Sequence, residues 1–315
     1  MSPESKIVIL KDRALLFQKV RSFFSDKNVF EVDTPILSRA APIDEHIEIM
    51  SVNLEKDQLG YLHSSPEYAM KRLLSLGAGD IFQMSHVFRL GEISPRHNPE
   101  FTMVEWYRIG AAFPAFIEET VEFIRLFLGN ISSSILPYRE AFLRFANIDY
   151  VKASEKELLT CAKAHNIELS TSSPPDKETL LHLLMGFVIE PHLGKDEILV
   201  LTDYPASQAA LAETVQKEDE LVAKRFEIYY HGIELANGYS ELTDASVQKE
   251  RLLETLKKRK QDQKEDLPLD ENFLKALAMG IPRCCGVAVG FDRLMMLRHN
   301  TSHLEDILPL AWKEI

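Results

Sequence analysis

The stretch from Phe88 to Tyr107, FRLGEISPRHNPEFTMVEWY, restricts the fold more than any other part of the chain. From Phe101 to Arg108 it has the two-residue period of a strand, with Phe101, Met103, Glu105 and Tyr107 on one face and Thr102, Val104, Trp106 and Arg108 on the other. Glutamate is seldom buried without a partner, so Glu105 beside Tyr107 points to a pocket for a cation or a hydrogen-bond donor. The alternative is an edge strand with solvated polar residues. Upstream, Asp80 to Leu90 reads as a second strand, with Arg89 at its end. The link, GEISPRHNP, holds the turn formers Gly91, Pro95 and Pro99 together with Arg96, His97 and Asn98. Arg89 with this Arg/His pair makes a fork of donors suited to phosphate or carboxylate.

Three further stretches carry chemistry. In LHSSPEYAMKRLLSLG, Ser65 is placed to cap a helix from Tyr68 to Leu76, and Glu67 lies at its positive end. In RFEIYYHGIELANGYSEL, His231-Gly232 marks a hairpin. A turn centred between Tyr230 and His231 puts Glu227 opposite Glu234, where like charges call for a divalent cation carried on phosphates; a register one residue different separates them. Glu241 lies an odd number of residues beyond Glu234, and a bulge at Asn237-Gly238 would reset the phase. In GVAVGFDRLMML, a glycine-rich strand enters a helix at Asp292 and Arg293, and Gly290 lets the backbone approach a ligand. Elsewhere, Asp12 to Asn28 has helical spacing, with Leu15, Leu16, Val20, Phe23 and Phe24 on one side and Asp12 as cap. Phe113 to Leu128 reads as an amphipathic helix. The Lys/Arg run within Ser246 to Asp266 reads as a solvated helix face, with nucleic acid contact as the alternative.

The Phe88–Tyr107 stretch resembles motif 2 of the class II aminoacyl-tRNA synthetases, in the version carried by lysyl-tRNA synthetases and their truncated paralogues, the elongation factor P lysine ligases. HNPEFTM is common to both groups, whereas Glu105 to Arg108, EWYR, and the later ASQAALA resemble the paralogues more. The Asp12–Pro35 unit is similar to motif 1 and GVAVGFDRL to motif 3. The resemblance runs from about Asp12 to Leu310 and implies an α+β fold, an antiparallel sheet flanked by helices. It implies a single catalytic domain over 1–315, with a mostly helical insertion at about 138–192 and a loop signal at Ser172 to Pro175. Only 11 residues precede Asp12, fewer than an anticodon-reading barrel needs, so no such barrel is expected.

The resemblance also implies roles. Ser65, Glu67, Glu105, Tyr107, Asn237, Glu241 and Ala288 would bind the amino acid, Glu67 facing its backbone-side amine and Glu241 with Tyr107 its side-chain ammonium. Arg89, Glu92, His97, Asn98, Phe101, Glu234, Leu235, Gly290 and Arg293 would bind ATP, with adenine between Phe101 and Arg293. Arg89 and Arg293 would stabilise the reacting phosphates, with Mg2+ on Glu227 and Glu234. The substrate would be lysine or (R)-beta-lysine, the acceptor a lysine side chain of elongation factor P rather than tRNA, and the protein a homodimer. Two departures stand out. The motif 2 acid comes one place late, at Glu92, which requires a bulge at Gly91. Ala288 replaces a glycine of lysyl-tRNA synthetases, and the added methyl favours an amine one carbon further along.

Composition fits this reading. A net charge of −12, from 48 acidic and 36 basic side chains, argues against a protein that mainly grips a polyanion. The N-terminus lacks a signal-peptide layout and no apolar run reaches membrane length, so a cytoplasmic location is expected. Cys161, Cys284 and Cys285 suit reduced packing residues, without zinc spacing. Rival readings are a truncated tRNA-charging enzyme, an ammonia-using asparagine synthetase and a regulatory paralogue without catalysis.

Overall fold

The computed structural model describes residues 3–55, 58–168 and 175–315; Ser172, Ser173 and Pro174 of the expected loop lie outside them. Chain order is α1 (Pro3–Asp26), β1 (Phe30–Glu31), β2 (Leu37–Ser38), β3 (Met50–Glu55), β4 (Gln58–Leu62), α2 (Glu67–Ser75), β5 (Ile81–Phe88), β6 (Glu100–Ile109) and α3 (Phe113–Leu128). There follow β7 (Ser133–Pro137), α4 (Tyr138–Ala141), α5 (Glu155–Ala164), α6 (Lys177–Leu184), β8 (Ile198–Pro205), β9 (Thr214–Lys217), β10 (Glu220–Tyr230) and β11 (Ile233–Ser240). The last elements are α7 (Ala245–Gln261), α8 (Glu271–Met279), β12 (Cys284–Gly290) and α9 (Phe291–Arg298). Contacts divide the chain into two compact units, Met1–Asn130 with Ser240–Ile315, and Ile131–Tyr239.

In the first unit, β6 pairs antiparallel with β5 on one side and β12 on the other, and β1 adds in parallel to β5. The edge-strand alternative therefore fails: Met103 to Tyr107 are all buried. Each face of β6 has its own task. Trp106 packs against Phe24, Phe116 and Phe123, with ring centroids 5.2, 6.0 and 5.0 Å away. This apolar face docks α1 and α3, and each fully buried aromatic contributes about 1.5–3 kcal/mol. The opposite face carries Glu105 and Tyr107. A small sheet, β2-β4-β3, completes the strands of this unit.

α1 begins at Pro3 rather than after an Asp12 cap, with Glu4 in its first turn. Asp12 instead accepts hydrogen bonds from Arg298 at 2.6 Å and His299 at 2.9 Å, and Leu15 is exposed. One turn of α1 is pinned from afar: the buried Arg13 guanidinium donates to Asp292 and, at 2.7 Å, to Thr102 Oγ1, while Thr102 N donates to Asp292 Oδ2 at 2.6 Å. Arg13 also lies 5.1 Å from the Phe17 ring centroid and 4.9 Å from that of Phe291. The basic run of α7 is not a solvated face throughout. Arg259 is buried and donates to the carbonyls of Asp44 and Ile47, both at 2.9 Å, and Lys258 pairs with Glu45 at 2.8 Å.

In the second unit, β11-β10-β8-β7 form a sheet that is antiparallel except for β7 and β8, and β9 pairs with β10. Among the described residues of 138–192 the regular elements are helical: α5 stands alone, and α4 and α6 each run into a π-helical turn, Phe142–Ala146 and Met185–Ile189. Phe142, Leu158, Leu180, Leu184 and Ile189 form one core with Leu201, Tyr204 and Tyr229 of the strands. The three cysteines are free thiols. Among the described residues no helix is long and apolar enough to cross a membrane.

Candidate active site

In the first unit the polar face of β6 meets the start of α2. Ser65 Oγ accepts from Glu67 N at 3.0 Å, so Ser65 fixes the first turn from just outside the helix, whose cap position is Pro66. The same hydroxyl donates to Glu105 Oε2 at 2.6 Å, and Tyr107 OH donates to Glu105 Oε1 at 2.7 Å. Burial pushes the Glu105 carboxyl up to about 8, helped by the charge of Glu67, while Ser65, Tyr107 and Lys71 pull it back. Glu241 is likewise pushed up to about 7 by burial, with Lys71 opposing. A Cβ added at Gly286 would lie 2.3 Å from Glu241 Oε1 and 2.4 Å from Tyr107 Cε1, so only glycine admits both side chains there. Ala288 is the register partner of Glu105, so its methyl shares that face.

An ammonium stands between these acids, but it comes from the chain itself. Lys71 Nζ lies 2.6 Å from Glu67 Oε1 and 2.5 Å from Glu241 Oε2. Burial would lower the Lys71 ammonium, yet the two carboxylates outweigh it and hold it above its ordinary range, so it stays charged. Lys71 follows Glu67 by one helical turn, and that spacing is the signal in the sequence that could have found it. Formally, three carboxylates against one ammonium leave the cluster two positive charges short. The raised Glu105 and Glu241 values express the same deficit, since a carboxylate lacking a cation holds its proton.

Further along the same face of β6, Phe101 stands about 13 Å from Glu105 at the usual rise per residue. Arg89, at the end of β5, lies over the Phe101 ring, 5.1 Å from its centroid, and its Nη1 is 3.5 Å from Glu92 Oε1. Gly91 has φ +78°, and the turn it allows brings the displaced acid back to Arg89. Arg293 Nη2 donates to His97 Nε2 at 3.0 Å, and burial together with Arg293 lowers the His97 pKa, keeping the ring a neutral acceptor. The expected Arg293–Phe101 clamp is thus not preformed: Arg89 covers Phe101, and Arg293 is held by His97. Asn98 is built into the loop, accepting from Trp312 N at 3.1 Å and donating to Glu100 O at 2.7 Å. A Cβ at Gly290 would come no closer than 3.7 Å to Arg293, so space within the protein does not demand this glycine.

The hairpin of the second unit differs from its sequence reading. His231 and Gly232 both have positive φ, 51° and 66°, which makes a two-residue turn of the primed kind with Tyr230 opposite Ile233. Tyr229 pairs with Glu234, the register then shifts past the buried Leu235, and Glu227 pairs with Asn237. Glu227 and Glu234 therefore share a face without being opposite, and the bulge falls at Leu235 rather than Asn237-Gly238. Glu227 Oε2 accepts from Tyr204 OH and Tyr229 OH, both at 2.5 Å, and Oε1 accepts from Arg225 at 2.5 Å. With both oxygens engaged, one by a guanidinium, Glu227 as arranged does not fit a direct magnesium ligand. Among the described residues no three His, Cys, Asp or Glu side chains are grouped to hold a metal. The alternation Arg225, Glu227, Tyr229 is visible in the sequence and marks this network.

Residues 2–313 match the family described as tRNA synthetases class II (D, K and N). The chain is 40% identical to the "Elongation factor P--(R)-beta-lysine ligase" of Hamiltonella defensa subsp. Acyrthosiphon pisum, covering 97% of this chain and 95% of that one. It is 41% identical to the protein of that name from Sodalis glossinidius, over 98% and 96% of the two chains, and 40% identical to that of Salmonella typhi, over the same shares. The motif 2 strand, the glycine-rich strand before α9 and these full-length likenesses agree: the chain belongs to the class II tRNA synthetases of the D, K and N group and, within it, to the elongation factor P–(R)-beta-lysine ligases.

Proposed function

We propose that this protein is an ATP-dependent ligase that activates (R)-beta-lysine, or lysine, and transfers it to a lysine side chain of elongation factor P. The observation that carries the substrate class is the cluster of Glu67, Glu105 and Glu241 around Tyr107, two positive charges short after Lys71 is counted. A diamino acid brings two ammonium groups. In this reading its side-chain ammonium approaches Glu241 and Tyr107 and its other amine Glu67, which leaves the carboxylate directed along β6 toward Phe101 and Arg89. The carboxylate oxygen attacks the ATP α-phosphorus, the α–β bridging bond breaks and pyrophosphate leaves. The acceptor amine, having lost its proton, then attacks the acyl carbon and AMP departs. Arg89 and Arg293 supply fixed positive charge as the phosphates reorganise. Magnesium arrives with ATP as part of that substrate, and no step is routed through Glu227. The methyl of Ala288 beside Glu105 supports preference for the beta isomer. Exposed Ile7, Val8, Leu15 and Phe30 on α1 and β1 support a homodimer, and we place the reaction in the cytoplasm.

The test supplies ATP, magnesium and labelled lysine or (R)-beta-lysine, and then unmodified elongation factor P or lysine tRNA in separate reactions. Label on the factor alone, faster with the beta isomer, is the expected result. Label on tRNA overturns the acceptor, and absence of amino-acid-dependent pyrophosphate exchange overturns the enzyme.

A further inference from the structure

Lys71 takes no part in the chemistry proposed above, yet it is 1% exposed and touches two of the three acids. A helix filling the same space with leucine or methionine would avoid the cost of burying an ammonium. The groups facing Lys71 are Glu67 from its own helix, Glu241 from the segment after β11, and the Tyr107 ring of β6, 6.0 Å from Nζ to the centroid. Lys71 engages Oε1 of Glu67 and Oε2 of Glu241, whereas Oε1 of Glu241 points toward Gly286 and Tyr107. The ammonium therefore holds two carboxylates from distant parts of the chain by one edge each.

We infer that Lys71 is a positioning and specificity-determining residue, a resident cation that fixes Glu67 and Glu241 for the two ammonium groups of a diamino acid and sets the charge the pocket accepts. Without it three carboxylates, the buried Glu105 and Glu241 and the partly buried Glu67, would face one another, and the cheapest relief is for one to take a proton or swing away. Either response removes an acceptor from the substrate. With it, the remaining charge is that of two carboxylates, and a monoamino acid of the same length leaves one of them unmatched. The opposite role, a tethered competitor that occupies the ammonium site until substrate displaces it, would make removal of Lys71 improve binding. The inference rests on the diamino acid reading.

Lysine-dependent ATP–pyrophosphate exchange tests it, with norleucine as the analogue lacking the side-chain ammonium. In Lys71→Met, KM for lysine and beta-lysine is expected to rise about tenfold or more, the lysine-over-norleucine preference in kcat/KM to fall by a similar factor, and KM for ATP to stay within about twofold. Lys71→Arg keeps the charge but spaces the carboxylates differently, so KM rises while the preference survives. A KM that falls in Lys71→Met overturns the inference in favour of the competitor, and an unchanged KM and preference overturns it outright. If the methionine variant does not fold, the arginine variant decides, since an unchanged KM there is equally fatal. Wild-type protein without lysine-dependent exchange would instead sink the diamino acid reading itself.

Discussion

Glu105 and Glu227 are two buried strand glutamates with the same local grammar and different fates. Each has a tyrosine two residues later on the same face, and each accepts that tyrosine's hydroxyl, at 2.7 Å from Tyr107 and 2.5 Å from Tyr229. The residue two places earlier separates them. For Glu227 it is Arg225, whose guanidinium donates at 2.5 Å; for Glu105 it is Met103, which carries no charge. Glu227 is thus closed by the protein, while Glu105 is left wanting a cation. One position on a strand decides whether the glutamate of a Glu-X-Tyr motif is neutralised by its own strand or left short of a cation.

The largest effect should come from breaking the closed pair. Arg225→Met leaves Glu227 buried without its cation and should cost about 3–5 kcal/mol in urea denaturation, largely regained in Arg225→Met with Glu227→Gln. If the single variant loses under about 1 kcal/mol, the distinction between the two glutamates fails. Glu105→Gln should leave folding intact and lower kcat/KM for lysine-dependent exchange about a hundredfold, from loss of a charged acceptor in a dry site, without changing KM for ATP.

Proton linkage sharpens the contrast. The Glu105 and Glu241 carboxyls sit near 8 and 7 in the folded protein, above their unfolded values. The folded state therefore keeps protons that the unfolded chain releases, so this stabilisation is complete below about pH 4.5 and is lost as pH rises through 7 and 8. Ligand-free protein should lose on the order of 2 kcal/mol between about pH 6.5 and 8 from these groups, and a saturating diamino acid should flatten the curve. Calorimetry showing the same slope in Glu105→Gln would refute this origin. The smallest effect is expected at Ala288→Gly, which should shift the ratio of kcat/KM for lysine over (R)-beta-lysine about tenfold toward lysine, within the range available to one methyl.

Much of this was readable from residues alone where the controlling interactions are local. α3 coincides with the amphipathic stretch Phe113–Leu128, and β6 follows its period-two pattern. The hairpin register escaped because a single skipped residue, Leu235, re-phases the strand without any composition signal beyond the neighbouring Asn-Gly. Lys71 and Arg259 escaped for a different reason: each looks like an ordinary surface cation on its own helix, and only a partner from far along the chain, Glu241 or the 44–47 carbonyls, takes it inside. Motif order says which arginines are present, not which ring each one rests on before a ligand arrives: Arg89 lies over Phe101, and Arg293 donates to His97.

The clasp joining Arg13 to Asp292 spans 279 positions of sequence. At roughly 5–20 residues per second, a ribosome needs about 14–56 s to deliver Asp292 after Arg13 has emerged. Over that interval the first helix can settle against Phe82, Trp106 and Phe123 as they appear, but the face bearing Arg13 and Phe17 must wait. The nascent protein thus carries an unfinished α1 until α9 is made, and the later helix completes the earlier one.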